Sequence, residues 1–231
     1  MKLIVVILGY HNPIYEKYIE VVKKTWGDFK NENIQIIYSY GGHHTNELID
    51  DTVYVTSKDF GEENTYDKLL NVFDVVYKNL DFDVILKTSN NSYFRLDLTY
   101  KILKSYELHN FYGSSHDSHL DKGCFHGVSM LLSKDVVKKI LDIKHIDNPY
   151  TKWDDTGIEY LLKQIYPNYI QNYKDFKRLD ISENNLFRLC DPLFKLKYDD
   201  IWAFRCKTSQ NGIVNRDLDI KKIELLHKIY S

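Results

Sequence analysis

The stretch DFDVILKTSNNSYFRLD, residues 81–97, decides how this chain is read. Its apolar run, Val84-Ile85-Leu86, shows no polar alternation, and unbroken runs of this kind belong to strands covered on both faces. The run delivers the chain to Lys87-Thr88 and then to a polar knot, Ser89-Asn90-Asn91-Ser92. A buried strand that ends in amides and hydroxyls sets hydrogen-bonding groups at a sheet edge. In open α/β sheets that carboxyl edge is where ligands collect.

Outward from this strand the same pattern recurs. Residues 3–8 (LIVVIL), 34–39 and 52–55 read as further buried strands. Between them, residues 15–26 carry a helical pattern opened by Asn12-Pro13, a capping residue followed by a pre-set first turn. Asn64 is placed to cap a second helix with Leu69, Leu70, Phe73, Val76, Tyr77 and Leu80 on one stripe. Helices are also expected over residues 98–106, 133–143, 157–165 and 218–229, with a buried strand leading into the second of these. Alternating strands and helices imply a three-layer α/β/α, Rossmann-like arrangement with a mostly parallel sheet. No repeat, low-complexity tract or linker interrupts it, so one domain over residues 1–231 is the expectation.

The formal net charge is −2 over 231 residues, which gives no global pull toward nucleic acid or acidic membranes. Any anion site must therefore be local. The three cysteines, Cys124, Cys190 and Cys206, are far apart and odd in number, a pattern of reduced thiols in a cytoplasmic setting. No stretch approaches the roughly 20 apolar residues that span a bilayer. The opening apolar run is short, lacks a small-residue cleavage site and passes directly into charged helical sequence, so it reads as a first strand. No GxGxxG follows that strand and no Walker-type GK[ST] occurs, which removes support for dinucleotide redox chemistry, P-loop hydrolysis and nucleotidyl transfer.

Five segments stand in an informative order: EVVKKTWGDF (20–29), DFGEENTYDKLL (59–70), VILKTSNNSYF (84–94), FHGVSMLLSKDVV (125–137) and WDDTGIEYLL (153–162). Over about residues 1–170 they resemble the Fringe-type and β-1,3-glycosyltransferase group of GT-A fold enzymes. The corresponding elements there read R-x-T-W, D-x-Y-x-N-L-T-x-K, L-K-x-D-D-D, G-x-x-y-x-L-S and (E/D)-D-x-x-x-G. The resemblance implies sugar transfer from a nucleotide-diphosphate sugar, UDP-based, to a glycan hydroxyl with inversion. It also implies a nucleotide-sugar half (1–110) and an acceptor half (111–231) that closes on the C-terminal helix. The group's usual membrane anchor and stem have no counterpart here.

The departure is central. Ser89, Asn90 and Asn91 stand where the group carries three aspartates that hold Mn²⁺ or Mg²⁺. Hard divalent ions favour anionic oxygens, so a resident metal is disfavoured and no cofactor is expected. The amides and hydroxyls remain suited to hydrogen bonds with a sugar nucleotide. Fixed cations must then balance the phosphates, and Arg205, Lys207 and Arg216 in the otherwise unmatched tail are the candidates, with Lys68 and Lys87 behind them. Arg205 and Lys207, alternating on an expected strand, leave the same face, although basic residues also dress strand edges against aggregation.

By resemblance, Asp155 takes the place of the aspartate that deprotonates the acceptor hydroxyl. Asp154 and Asp155 equally suit first-turn charge at a helix N-terminus. Trp153 is a candidate sugar-stacking neighbour, and His126 with Gly127 would line the floor beneath donor and acceptor. At the exit of strand one, Gly9, Tyr10 and His11 are placed for a nucleobase, or for a plain turn. His116, His119 and His126 with Asp117 and Asp121 fall in a polar loop whose spacing makes a poor zinc site, so no metal ligand is assigned. A non-catalytic sugar-nucleotide or glycan-binding module is the rival reading.

Overall fold

The computed structural model describes residues 1–59, 65–117, 127–167, 175–181, 186–210 and 213–231, the side chains of 116–117, 187–188, 209–210 and 213–214 aside. The first strand, β1 (Leu3–Leu8), is buried along its whole length. Asn12 then accepts a hydrogen bond from the Ile14 amide, and Pro13 opens α1 (Pro13–Lys24). That helix ends two residues before the expected boundary, in a 3₁₀ turn at Trp26–Asp28. Next come β2 (Ile34–Tyr40), β3 (Glu47–Ile49), β4 (Thr52–Tyr54), α2 (Thr65–Asn79) and β5 (Val84–Ser89). The expected Asn64 cap lies outside the described residues.

Past the polar turn, β6 (Ser92–Phe94) leads into α3 (Leu96–Leu103). Then follow β7 (Tyr112–Ser114), β8 (His116–Asp117), β9 (Ser129–Ser133), α4 (Lys134–Asp142) and α5 (Asp154–Ile165). The last third holds β10 (Lys177–Asp180), the single turns α6 (Leu186–Leu189) and α7 (Phe194–Lys197), β11 (Ala203–Arg205), the pair β12 (Ser209–Gln210) and β13 (Ile213–Val214), and α8 (Arg216–Tyr230).

A seven-stranded sheet runs β3-β4-β2-β1-β5-β9-β7. Five strands point one way, while β3 and β9 run against them. Period-two geometry divides β1 between two cores. Leu3, Val5 and Ile7 face α1, α8 and a second, four-stranded sheet, packing with Val22, Trp202 and Leu226. Ile4, Val6 and Leu8 face α2, α4 and α5, packing with Phe73, Val137 and Leu161. The domain is therefore single, mixed α/β and three-layered, as its patterning implies.

A second sheet runs β6-β11-β10-β8, and of it only the strand at Arg205 was expected from the sequence. In it β11 lies antiparallel to β6, with Arg205 opposite Ser92. The strand stops there, so Lys207 sits on the extended segment beyond it rather than on the strand expected to carry both cations. α8 is anchored by a buried network around Asp219, which is wholly inaccessible. The Tyr18 hydroxyl and the Thr208 amide donate to its two oxygens at 2.7 and 2.6 Å. Lys222, equally buried, donates to Thr208 Oγ1 and to the Ile181 carbonyl.

α5 presses on α2 through Gly157. A Cβ there would lie 2.3 Å from Tyr66 Cδ2 and 2.9 Å from the Tyr150 carbonyl oxygen. In an open helix Gly→Ala stabilises by about 1 kcal/mol. Here overpacking outweighs propensity, and Gly157→Ala is expected to destabilise by about 1–3 kcal/mol in urea unfolding. A neutral or stabilising result would show that the two helices separate easily.

Candidate functional site

At the carboxyl edge of the parallel strands lies a cleft of about 270 Å³. Its walls carry twelve of the residues singled out in the sequence: Tyr10, Lys87, Ser89, Asn90, Asn91, Gly127, Trp153, Asp154, Asp155, Arg205, Lys207 and Arg216. Leu8, Tyr15 and Val128 complete them. Gly9, His11 and Lys68 are not among its walls, and His126 lies outside the described residues.

The turn after β5 is held from within. Ser89 Oγ donates to Asn91 Oδ1 at 2.8 Å and lies 3.2 Å from Ser92 Oγ. Asn90 is buried, and its Nδ2 has no hydrogen-bond partner. The backbone of the tail docks on this turn, with the Cys206 amide donating to the Asn91 carbonyl at 2.9 Å. That bond and the Arg205–Ser92 pairing bring the tail's cations to the cleft.

Arg205 faces Asp180, with Nη1 3.5 Å from Oδ2, while its Nε is buried and unpartnered. Asp180 also accepts from Arg178 Nε at 2.7 Å, so one carboxylate braces two guanidinium groups. Arg216 Nη1 lies 3.4 Å from Asp219. Burial, and then the positive charges of Arg205 and Arg216, hold the Lys207 ammonium below its ordinary pKa. Three cations thus line the cleft, two of them held by carboxylates.

Lys87, also lining the cleft, is buried and donates to the Gly127 carbonyl and to Asp154 Oδ2. This ion pair neutralises Asp154 and ties the start of α5 to β5. Helix α5 begins at Asp154, three residues before its expected start, which places both aspartates in its first turn. Asp155 is less committed: its Oδ1 accepts from the Thr156 amide at 2.8 Å, and its Oδ2 from the Gly127 amide at 3.2 Å. A Cβ on Gly127 would stand 3.1 Å from that Oδ2, so glycine there allows the close approach.

Lys68, expected to face a donor, is instead the core of the neighbouring loop. It is 1% exposed and donates to Asp59 Oδ1 at 2.7 Å and to the Gly9 carbonyl. Its ammonium lies 4.2 Å over the Tyr10 ring. Asp59 also accepts from the amides of His11 and Gly41. His11 is turned outward and stacks on Tyr40 at 4.7 Å, while Gly9 is packed against Tyr40. Burial, and next the charge of Asp154, push the Tyr10 phenol well above its ordinary value, so it stays neutral in the cleft.

Sequence reasoning did not single out Tyr15, whose ring packs 5.1 Å from Tyr10, nor Asp59 and Asp180, the two carboxylates that position cations. Asp59 stands inside a quoted motif and was within reach. Asp180 lies in the unmatched tail and carried no signal.

No known sequence family and no curated protein sequence matches the chain. Solved structures do resemble its fold. The apo-form glycosyltransferase GlyE of Streptococcus pneumoniae TIGR4 is 14% identical with a TM-score of 0.52, over 96% of this chain and 60% of that one. A glycosyltransferase involved in the glycosylation of the major capsid of PBCV-1 is 10% identical with a TM-score of 0.52, over 97% and 100%. This chain thus spans 60% of the length of the GlyE chain. At such identities the likeness is one of fold, and the fold is GT-A.

Burial raises the Asp59 carboxyl, but the charge and hydrogen bond of Lys68, with the two amides, outweigh it and hold the group below its ordinary value. The stability it confers is present above about pH 4, the unfolded carboxylate pKa, and is lost as pH falls through the lower folded value. Lys68→Met should cost about 3 kcal/mol by leaving that carboxylate buried and unpaired. In urea unfolding, Asp59→Asn/Lys68→Met should lose less than the sum of the single variants. Additivity would mean that the two groups do not interact.

Proposed function

We propose that this chain transfers a sugar from a nucleotide-diphosphate donor, UDP-based, to a glycan hydroxyl with inversion and without a metal ion. The observation that carries the reading is that Arg205, Lys207 and Arg216, the Ser89–Asn91 turn and Asp155 all line one cleft. The order of the five motifs supports the Fringe-type group as the relevant branch of the fold. The two solved neighbours, each described as a glycosyltransferase, support sugar transfer in general.

The steps follow from charge. Asp155 accepts the proton of the acceptor hydroxyl as its oxygen attacks the anomeric carbon. The bond from that carbon to the β-phosphate oxygen breaks, and its electron pair leaves with the nucleoside diphosphate. The added negative charge on the departing phosphate is stabilised by the guanidinium and ammonium groups, whose fixed placement needs no reorganisation. Arg grips phosphate oxygens in two-point contacts, a geometry that Arg205 and Arg216 on the cleft wall can supply. Tyr10 gives the nucleobase an aromatic face.

The donor set at the turn suits this scheme and not a divalent ion. Asn90 and Asn91 offer uncharged amides, Asp154 is matched by Lys87, and three cations line the same cleft. A sugar nucleotide meets neutral hydrogen-bonding groups and positive charge there, while a metal ion would meet repulsion.

Two measurements test the reading. Asp155→Asn is expected to lower kcat by about 10²–10⁴-fold, the range of general base catalysis, with the dissociation constant for UDP little changed. Unchanged turnover removes Asp155 as base, and a wild type that binds UDP without any transfer or donor hydrolysis favours the non-catalytic module. Activity should also persist in EDTA. Loss in chelator with recovery on adding Mn²⁺ would defeat the metal-free scheme.

A further inference from the structure

We infer that the loop of residues 146–153 is a second acceptor subsite, so that the acceptor is a saccharide of at least two rings. The identity of its occupant rests on the transferase reading above. Among the described residues, seven large apolar side chains stand exposed, and three of them lie in this loop: Ile146 at 38%, Tyr150 at 54% and Trp153 at 42%. Two of the three are aromatic, and one of these, Trp153, also lines the cleft.

The loop is held in place. Asn148 is buried and donates from Nδ2 to the Gly157 carbonyl at 3.1 Å, while its Oδ1 accepts from the Tyr150 amide at 2.8 Å. Thr65 Oγ1 donates to the Lys152 carbonyl at 3.0 Å and accepts from the Asp154 amide at 3.2 Å. The Tyr150 ring rests against Tyr160 at 5.8 Å. Aromatic faces fixed in advance lose little entropy when a ligand settles on them.

Continuity with the cleft selects the ligand. Trp153 is both an exposed member of this loop and a wall of the cleft that holds Asp155. A pyranose has a C–H-bearing face that stacks on an aromatic ring and a rim of hydroxyls left to water. The ring that presents its hydroxyl to Asp155 lies at Trp153. Tyr150, three residues away and at most about 10 Å distant along the chain, receives the next ring.

The chain contains its own reporter. Of its three tryptophans, Trp26 and Trp202 are 3% and 0% exposed, leaving Trp153 as the one open to a quencher. Acrylamide quenching of the full chain, with and without UDP, is measured against galactose and lactose, N-acetylglucosamine and chitobiose, and glucose, maltose and cellobiose. At least one disaccharide should protect Trp153 at about tenfold lower concentration than its monosaccharide, equivalent to about 1.4 kcal/mol. Tyr150→Ala should erase that gap, and Tyr150→Phe should keep it. A panel in which no disaccharide outperforms its monosaccharide overturns the inference, as does a gap that survives Tyr150→Ala. Calorimetric titration of UDP into the same sample separates the two readings. Saccharide protection without UDP binding upholds the platform and sinks the transferase assignment, whereas UDP binding without a saccharide gap does the reverse.

Discussion

The site depends on one backbone junction. β11 pairs with β6, setting Arg205 opposite Ser92, and the next residue, Cys206, donates its amide to the Asn91 carbonyl. Side chains more than one hundred positions apart in sequence are thereby held at the same turn. Because the contact is made by main-chain groups, it sets the register of everything that follows. The buried Asp219 network then secures the far end of the tail, joining α8, α1 and the Thr208 amide. Arg205, carried on a paired strand, has already lost the backbone entropy that a loose tail would keep.

Charge is distributed unequally across the cleft. On the α5 side Lys87 and Asp154 cancel in a buried pair. Such a pair adds little net stability against desolvation, but it specifies geometry, here the relation of Gly127 and the first turn of α5 to β5. On the tail side the carboxylates stand behind the cations. Asp180 braces Arg205 from one side and Asp219 braces Arg216 from another. Burial first, and then its neighbours Arg205 and Arg216, hold the Lys207 ammonium below its ordinary pKa, with Asp219 and Asp180 opposing.

The strand β5 ends at the sheet edge in a turn of neutral amides and hydroxyls, Ser89 to Ser92. The resemblance in structure is shared with chains only 10–14% identical to this one. At that distance a fold transmits the location of a site, and the side chains must supply the rest.

Much of this was legible in the linear chain because it is governed by short-range periodicity. The buried character of residues 3–8 is visible in LIVVIL, the start of α1 in Asn12-Pro13, and the strand-to-turn transition in VILKTSNN, since each depends on neighbours a few positions away. The candidate residues at that edge, Tyr10, Lys87 and Ser89 to Asn91, follow from the rule that strands deliver ligands to their carboxyl ends. Other features required folding in three dimensions. Lys68 and Lys87 are both lysines on apolar elements, yet one is a loop core and the other a cleft wall, a difference made by Asp59 and Asp154 from distant segments. The second sheet, the bracing by Asp180 and the arrival of Arg205 at Asn91 are products of long-range pairing, whose partners no local pattern names.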